Sequence, residues 1–465
     1  PYLCNRNQEE VKVMDTKQKK IVGLVLSSSL VTAMNGAVII TSLPQMAAEL
    51  QLDLSTLSWV QNIYVLAWGS LMLMGGRMSD VLGRQLMMTA SLLLFGGGTL
   101  WAGLSASAFS LIASRLVQGI GAAILAPTSL ALIMDYFEGR ERVRVVSWYS
   151  SISGIGMCVG LILGGILTEN YSWRWGFYSY LPLIGWMMYL SHFTLGRQTP
   201  SKKSVASLDV KGTLLSALGI FSFIYAINGS EHPWVFGTLA LLLLTLFLQV
   251  EKRAASPIMP LRLFDSVRSR AHGARILFAG AMMGYYFFIS EYLQEVLSFT
   301  ALQVGWAFLP LTLFTFVAAI FVPGMVGRFG NKSTLTLGMV LMLLGFYWTM
   351  QISEQSDYYL DIAPAMLLLG VGQGFVMSPL TNLAIIGVEG TDAGAASGLV
   401  NATHQIGCSL GLSIMVNSSA HFTQLADICR QAMRCGFGFM TIAFLLIWAS
   451  KQNIHLIKKI WKQRR

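Results

Sequence analysis

Charge is scarce in this sequence. Asp, Glu, Lys and Arg make up 12% of 465 residues and 54% are hydrophobic, whereas a soluble domain carries about 25% charged residues; a water-soluble fold is excluded. Five cysteines in the whole chain do not make a disulfide framework. There is no H-E-x-x-H and no phosphate-cradling loop, so an embedded enzyme finds no support, and no cofactor or metal is expected. The apolar runs are continuous, without the polar alternation of membrane-barrel strands. Lipid admits only helices and closed barrels, which leaves an all-α polytopic membrane protein. Forty-five glycines and twelve tryptophans fit that class.

The net charge of +10 and the basic tail "KKIWKQRR" (Lys458 to Arg465) fit cytoplasmic loops meeting anionic lipid better than nucleic acid, for which no partner role is expected. The start, "PYLCNRNQEEVKVMDTKQKK", leads into a full-length apolar helix with no small-residue cleavage site. An uncleaved first span is expected, not a signal peptide.

Apolar stretches of about 20 residues, the length that crosses ~30 Å of hydrocarbon, occur at 21–43, 57–76, 86–107, 109–134, 144–168, 175–195, 211–229, 233–250, 274–297, 301–325, 333–352, 358–387, 394–420 and 432–450. These fourteen helices put both termini on one side. If that side is the cytoplasm, the inner segments collect Lys17, Lys19, Lys20, Arg77, Arg84, Arg140, Arg142, Arg144, Arg197, Lys202, Lys203, Lys211, the run from Lys252 to Arg275, Arg328, Lys332 and the tail. The outer segments keep only Arg174, Arg430 and Arg434 beside acids such as Glu49 and Asp53. The asymmetry predicts cytoplasmic ends.

Long polar segments between helices 6 and 7 and between helices 8 and 9 bracket a short pair of spans. The expected parse is a tail at 1–20, a six-helix bundle at 21–196, a linker with two extra helices at 197–270, a second six-helix bundle at 271–450 and a basic tail at 451–465. The bundles echo each other: "GGRMSDVLGR" after helix 2 matches "PGMVGRFGNK" after helix 10, and "RLVQGIGAAILAPTSLAL" in helix 4 matches "LLGVGQGFVMSPLTNLAI" in helix 12. Duplicated bundles of this kind build transporter folds.

Six segments in order carry a resemblance. "GGRMSDVLGR" is similar to the loop signature G-x-L-a-D-r-x-G-r through Gly76, Asp80, Gly83 and Arg84. "RLVQGIGAA" supplies Arg115, Gln118, Gly119, Gly121 and Ala123 of a helix 4 signature, and "GMCVGLILGG" resembles the antiporter signature of helix 5. "WRWGFYSYLP", "EYLQEVLSFTALQVGWAFLP" and "GLVNATHQIGCSLGLSI" follow at helices 6, 9 and 13. Over nearly its whole length the chain resembles the major facilitator superfamily, in its fourteen-helix branch of drug:proton antiporters. The resemblance implies a gate at Gly76, Asp80, Gly83 and Arg84, which closes the cytoplasmic side when the cavity opens outward.

Gly156, Gly160 and Gly164 recur every four residues, with Gly165 beside them, and let a neighbouring helix approach closely. Leu161 stands where the family has proline, so helix 5 is expected to be straighter.

Ionisable groups inside the hydrocarbon are functional candidates because they are costly there. Arg115 lies ~9 Å inside the outer end of helix 4 and Asn35 roughly 9 Å below the outer surface on helix 1, at 1.5 Å per residue. Relatives often carry an aspartate at the position of Asn35. Either Arg115 is a structural cation held by Asn35, Gln118 and backbone carbonyls, or another carboxylate has taken over proton traffic. Glu291 is the best replacement, with Glu295 one turn outward, and His404 can titrate near neutrality in principle. Tyr64 and Trp68, with the run Tyr285, Tyr286, Phe287, Phe288, are expected to supply walls for a flat lipophilic ligand; four consecutive residues point four ways, so at most half of that run can do so. Asn35, Gln118, Tyr292 and Gln294 complete the expected cavity set. The methionines are expected mostly to face lipid. Cys429 and Cys435 flank "RQAMR", and a bridge requires a loop to persist to Cys435.

The expected function is proton-coupled efflux of a lipophilic small molecule by alternating access, in a bacterial inner membrane and as a monomer among lipids. The alternative is a dedicated exporter of one metabolite or metal chelator. A channel is disfavoured by the gate signatures.

Overall fold

The computed structural model describes residues 14–196, 209–228, 231–254, 257, 259, 261–388 and 393–448; the outer tails and Lys202 and Lys203 of the linker lie outside them. Fourteen helical spans run in order: α1 Thr16–Leu50, α2 Leu54–Leu82, α3 Arg84–Gly103, α4 Ala108–Tyr136, α5 Gly139–Asn170, a broken α6 (Trp173–Tyr178 and Leu181–Thr194), α7 Val210–Ile227 and α8 Pro233–Arg253. The second half holds α9 Ser266–Glu295, a two-part α10 (Ala301–Ala307 and Leu309–Phe329), α11 Asn331–Thr349, α12 (a π turn Tyr358–Ile362 continuing as Ala363–Ala384), α13 Ala393–Ser419 and α14 Leu425–Trp448.

Short polar side chains set the starts. Asp15 accepts from the backbone of Gln18, whose side chain returns the bond, a reciprocal cap that satisfies two free N–H groups. Thr300 and Gln303 do the same at α10, and Asp53, Ser107 and Asp265 cap α2, α4 and α9. The two hairpins singled out as repeats share a backbone. Gly83 has φ 98° and ψ 145°, and Gly330 has φ 86° and ψ 159°, a region glycine enters without steric cost.

The repeat extends to packing. In the first half α1 packs on α5, and both α2 and α3 pack on α4; in the second α9 packs on α13, and both α10 and α11 pack on α12. The halves meet along two seams, α2 with α13 and α5 with α10. The extra pair α7 and α8 pack on each other, and α7 rests on α2 and α13, with Trp234 and Leu241 of α8 outward at 87% and 70% exposure.

The glycine row has its partner. Added Cβ atoms would fall 2.9 Å from Ala33 Cβ at Gly156, 2.7 Å from Ala37 Cβ at Gly160 and 2.7 Å from Thr41 Oγ1 at Gly164, all on α1. Gly165 faces Ala301 and Leu302 of α10 instead. α5 runs unbroken through Leu161.

One expectation needs correction. Many methionines are interior, Met34, Met46, Met88, Met187, Met339 and Met433 among them, because an unbranched thioether fills irregular gaps between helices. Cys429 and Cys435 both lie within α14 and are free, Cys429 against Phe288 O and Cys435 against Ser418 Oγ. The continuous helix separates them by ~9 Å of rise.

Candidate functional site: a cavity between the two halves

A cavity of about 510 Å³ lies between the halves, walled by α1, α2, α5, α9, α10, α12 and α13. Its lining is mostly apolar, with Gln61, Gln373, Gln405, Ser150, Ser153 and His404 placed among aromatic and methionine side chains. That is the composition of a small-molecule site.

The end carrying Glu49 is sealed. Across the α5–α10 seam an added Cβ on Gly165 would fall 2.7 Å from Ala301 O, and one on Gly305 2.6 Å from Leu161 O. Glu169 accepts from the N–H of Leu302 at 3.2 Å, and Arg174 ties Glu49 at 2.6 Å to the carbonyl of Ser105. Toward the Asp80 end the same seam widens. At Gly154 an added Cβ finds only the ring of Phe316, at 3.6 Å, and the cavity-lining Ser150 and Ser153 are exposed.

Of the residues expected on the cavity wall, Tyr64, Trp68 and Tyr286 are there. Asn35 and Gln118 are not; they are spent on Arg115. That guanidinium is fully buried, donates to Val60 O at 3.1 Å, Asn35 Oδ1 at 3.0 Å and Gln118 Oε1 at 2.6 Å, and stacks 4.2 Å from the Tyr64 ring centre. Gln118 in turn donates to Thr99. Sequence reasoning missed Tyr180, whose hydroxyl donates to Asn35 Oδ1 at 2.8 Å. It sits in the break of α6 just before Pro182, and that break was the available signal. Tyr285 packs edge-on against Phe346, Tyr292 donates to Ser353 O, and Gln294 donates back to Ser290; their helix faces turn away from the cavity.

His404 lines the cavity, and its Nδ1 has no partner. Glu291 is buried but faces α14: the titratable groups that act on it are Glu295 on its own helix and Cys429. Among the described residues it makes no hydrogen bond or ion pair.

At the hairpin, Arg84 bonds Asp80 at 2.5 Å and Asp135 of α4 at 2.9 Å, with Ser79 at 3.1 Å. Asp135, 51 residues on, was the missed partner. Gly76 faces Pro127 of α4, and Arg77 reaches across to Pro257 O at 2.8 Å. The carboxylate of Asp80 is 63% exposed, and its ion-pair cluster with Arg84 and Asp135 stays within the first half.

Comparison with known proteins agrees with this architecture. A family model described as Major Facilitator Superfamily matches residues 25–412. The puromycin resistance protein pur8 of Streptomyces alboniger is 32% identical over 420 residues, 87% of this chain and 82% of its own. The cephamycin export protein CmcT of Amycolatopsis lactamdurans is 31% identical over 435 residues, 91% of this chain and 89% of its own. A solved peptide transporter in complex with sulfate has a TM-score of 0.69 at 14% identity, over 92% of this chain and 93% of that one, a likeness of fold alone.

Proposed function

The chain belongs to the major facilitator superfamily, and from that premise we propose that it expels lipophilic small molecules by alternating access, coupled to proton entry. The coarser part stands on its own: this is a multi-pass bacterial membrane transporter of the drug and antibiotic efflux type, not an enzyme. The finer reading is carried by one observation, a cavity between two repeated halves sealed at one end and widening at the other. With the basic ends in the cytoplasm, as the lysine and arginine asymmetry supports, this is an inward-facing state of a monomer.

Asp80, paired with Arg84 but 63% exposed, is then the half of a latch left open to a new partner in the other state. Asp80→Asn is expected to slow transport about tenfold, the effect of losing an interaction worth ~1.4 kcal/mol in the other state, while ligand affinity stays at the wild-type value. Arg84 keeps Asp135, so stability changes little, as for an exposed ion pair. Parallel binding and flux assays on one preparation check this, and unchanged flux removes Asp80 from the gate.

Glu291 is assigned the proton. A buried carboxylate without a cation partner holds a proton when dry and releases it when water or charge reaches it, here through movement of α9 because it does not line the cavity. In proteoliposomes loaded with a lipophilic dye, each unit of imposed pH gradient should support a concentration ratio of about tenfold for one proton exchanged, equivalent to ~1.4 kcal/mol. Glu291→Gln should abolish that dependence and leave downhill exchange. An intact dependence in the variant assigns the proton elsewhere. If the wild type moves no dye under any gradient, the second reading is favoured, a dedicated metabolite or chelator exporter, which fits Asn35 in place of the helix 1 acid.

A further inference from the structure

We infer that the cavity is built for the anionic end of an amphiphile, a carboxylate, sulfonate or phenolate on an apolar body, and not for an organic cation. This rests on the efflux reading above and names its substrate class.

The described lining of the cavity contains no Asp or Glu. Two buried arginines stand directly behind it, one from each half. Arg115 lies against the cavity-lining Tyr64 and is bonded only to neutral acceptors, Val60, Asn35 and Gln118. Arg275 of α9 is buried, donates to Thr381 Oγ1 at 2.8 Å, and has an unpartnered Nε–H. Its charge acts on His404 and Cys408, both on the wall. No carboxylate is among the described groups that pair with either guanidinium.

Two uncompensated positive charges behind the low-dielectric wall of the cavity raise its potential, because field lines pass through that wall from protein to ligand. A cation entering there is repelled and brings no partner; an anion supplies the missing counter-charge. The wall also offers a donor without an acceptor, the indole N–H of Trp68, beside the unpartnered imidazole of His404. The amides of Gln61 and Gln405 can turn either end toward a ligand. Phe278, Phe316, Tyr286 and methionine side chains supply much of the apolar surface, which takes the apolar body. Arg275 escaped the sequence reading because it closes a run of basic loop residues; only the packing of α9 shows it buried.

The test uses the full-length protein in phosphatidylcholine nanodiscs and three probes of one shape: pyrenebutyrate, pyrenebutanol and a pyrenebutyl trimethylammonium, with binding read by energy transfer from tryptophan. Expected is the order butyrate, alcohol, ammonium, with about tenfold between first and last. Arg275→Gln should erase the advantage of butyrate over the alcohol while the alcohol binds as before. Arg275→Lys, which keeps the charge, should retain it, and His404→Gln gives a second variant that does not remove a buried cation. Equal affinities, tightest binding of the ammonium, or no binding of any probe would overturn the inference. Competition by added phosphatidylglycerol would assign the site to lipid headgroups and its absence to free organic acids; both keep the anion site. If the selectivity is present but the reconstituted protein carries none of the probes under any gradient, the efflux reading fails and the anion site stands.

Discussion

Gly305→Leu is expected to suppress turnover, with transport up to about 100-fold below wild type, in a protein that still folds. The Cβ alone would fall 2.6 Å from Leu161 O and 3.1 Å from its carbonyl carbon, and both are backbone atoms of a helix that cannot swing aside. Overpacking of this kind costs typically ~1–3 kcal/mol, and near the upper end that shifts a two-state equilibrium roughly 100-fold. The clash lies between α5 and α10, hence between the halves, so each bundle keeps its internal packing and only the sealed Glu49 end is penalised. Spin labels at the exposed Asn170 and Gln303 should report a longer distance in Gly305→Leu than in wild type. Gly160→Leu is the contrasting substitution. Its clash with Ala37 and Met34 lies inside one bundle, so yield and thermal stability fall without a lengthening of the seam. An unchanged label distance together with wild-type flux in Gly305→Leu would show that this seam does not part during transport.

Arg115→Met is the second large effect, expected to lower thermal stability by several degrees and to remove transport. The side chain joins α1, α2 and α4 through Asn35, Val60 and Gln118, and all of it is inaccessible to water. Methionine leaves Gln118 Oε1 without its donor, at about 1–3 kcal/mol for a buried group left unsatisfied, and unties the three helices, although Asn35 Oδ1 keeps Tyr180. Arg115→Lys is expected to rescue poorly. A compact ammonium has neither the planar fork that reaches Val60 and Asn35 together nor the face that stacks on Tyr64. Melting curves with and without a bound probe separate the two contributions. Full activity of the lysine variant would mean that charge alone is needed at this position, not the guanidinium geometry.

Much of the protein was legible in the sequence because its determinants are local. Span length, the scarcity of charge between spans and the turn chemistry of Gly83 and Gly330 each depend on a few neighbouring residues, and they gave fourteen helices and the echo of the halves. Arg115 stood out because a charge in an apolar run is costly wherever that run packs. The glycine row of α5 predicted a close helix but not which one; α1 became its partner only through the packing of the bundle.

What the tertiary structure decided is which face of each helix meets which neighbour. Helical periodicity says that Tyr286 and Glu291 point differently, not that one faces the cavity and the other faces Cys429. It cannot bring Asp135 to Arg84, place Tyr180 over Asn35, or set Arg275 behind His404. In a bundle with apolar lipid outside and an apolar core inside, hydrophobicity no longer distinguishes in from out around a helix. The sequence therefore determined the spans, their order and the hairpins, while the orientation of each span, and with it the membership of the cavity, was left to close packing across the seams.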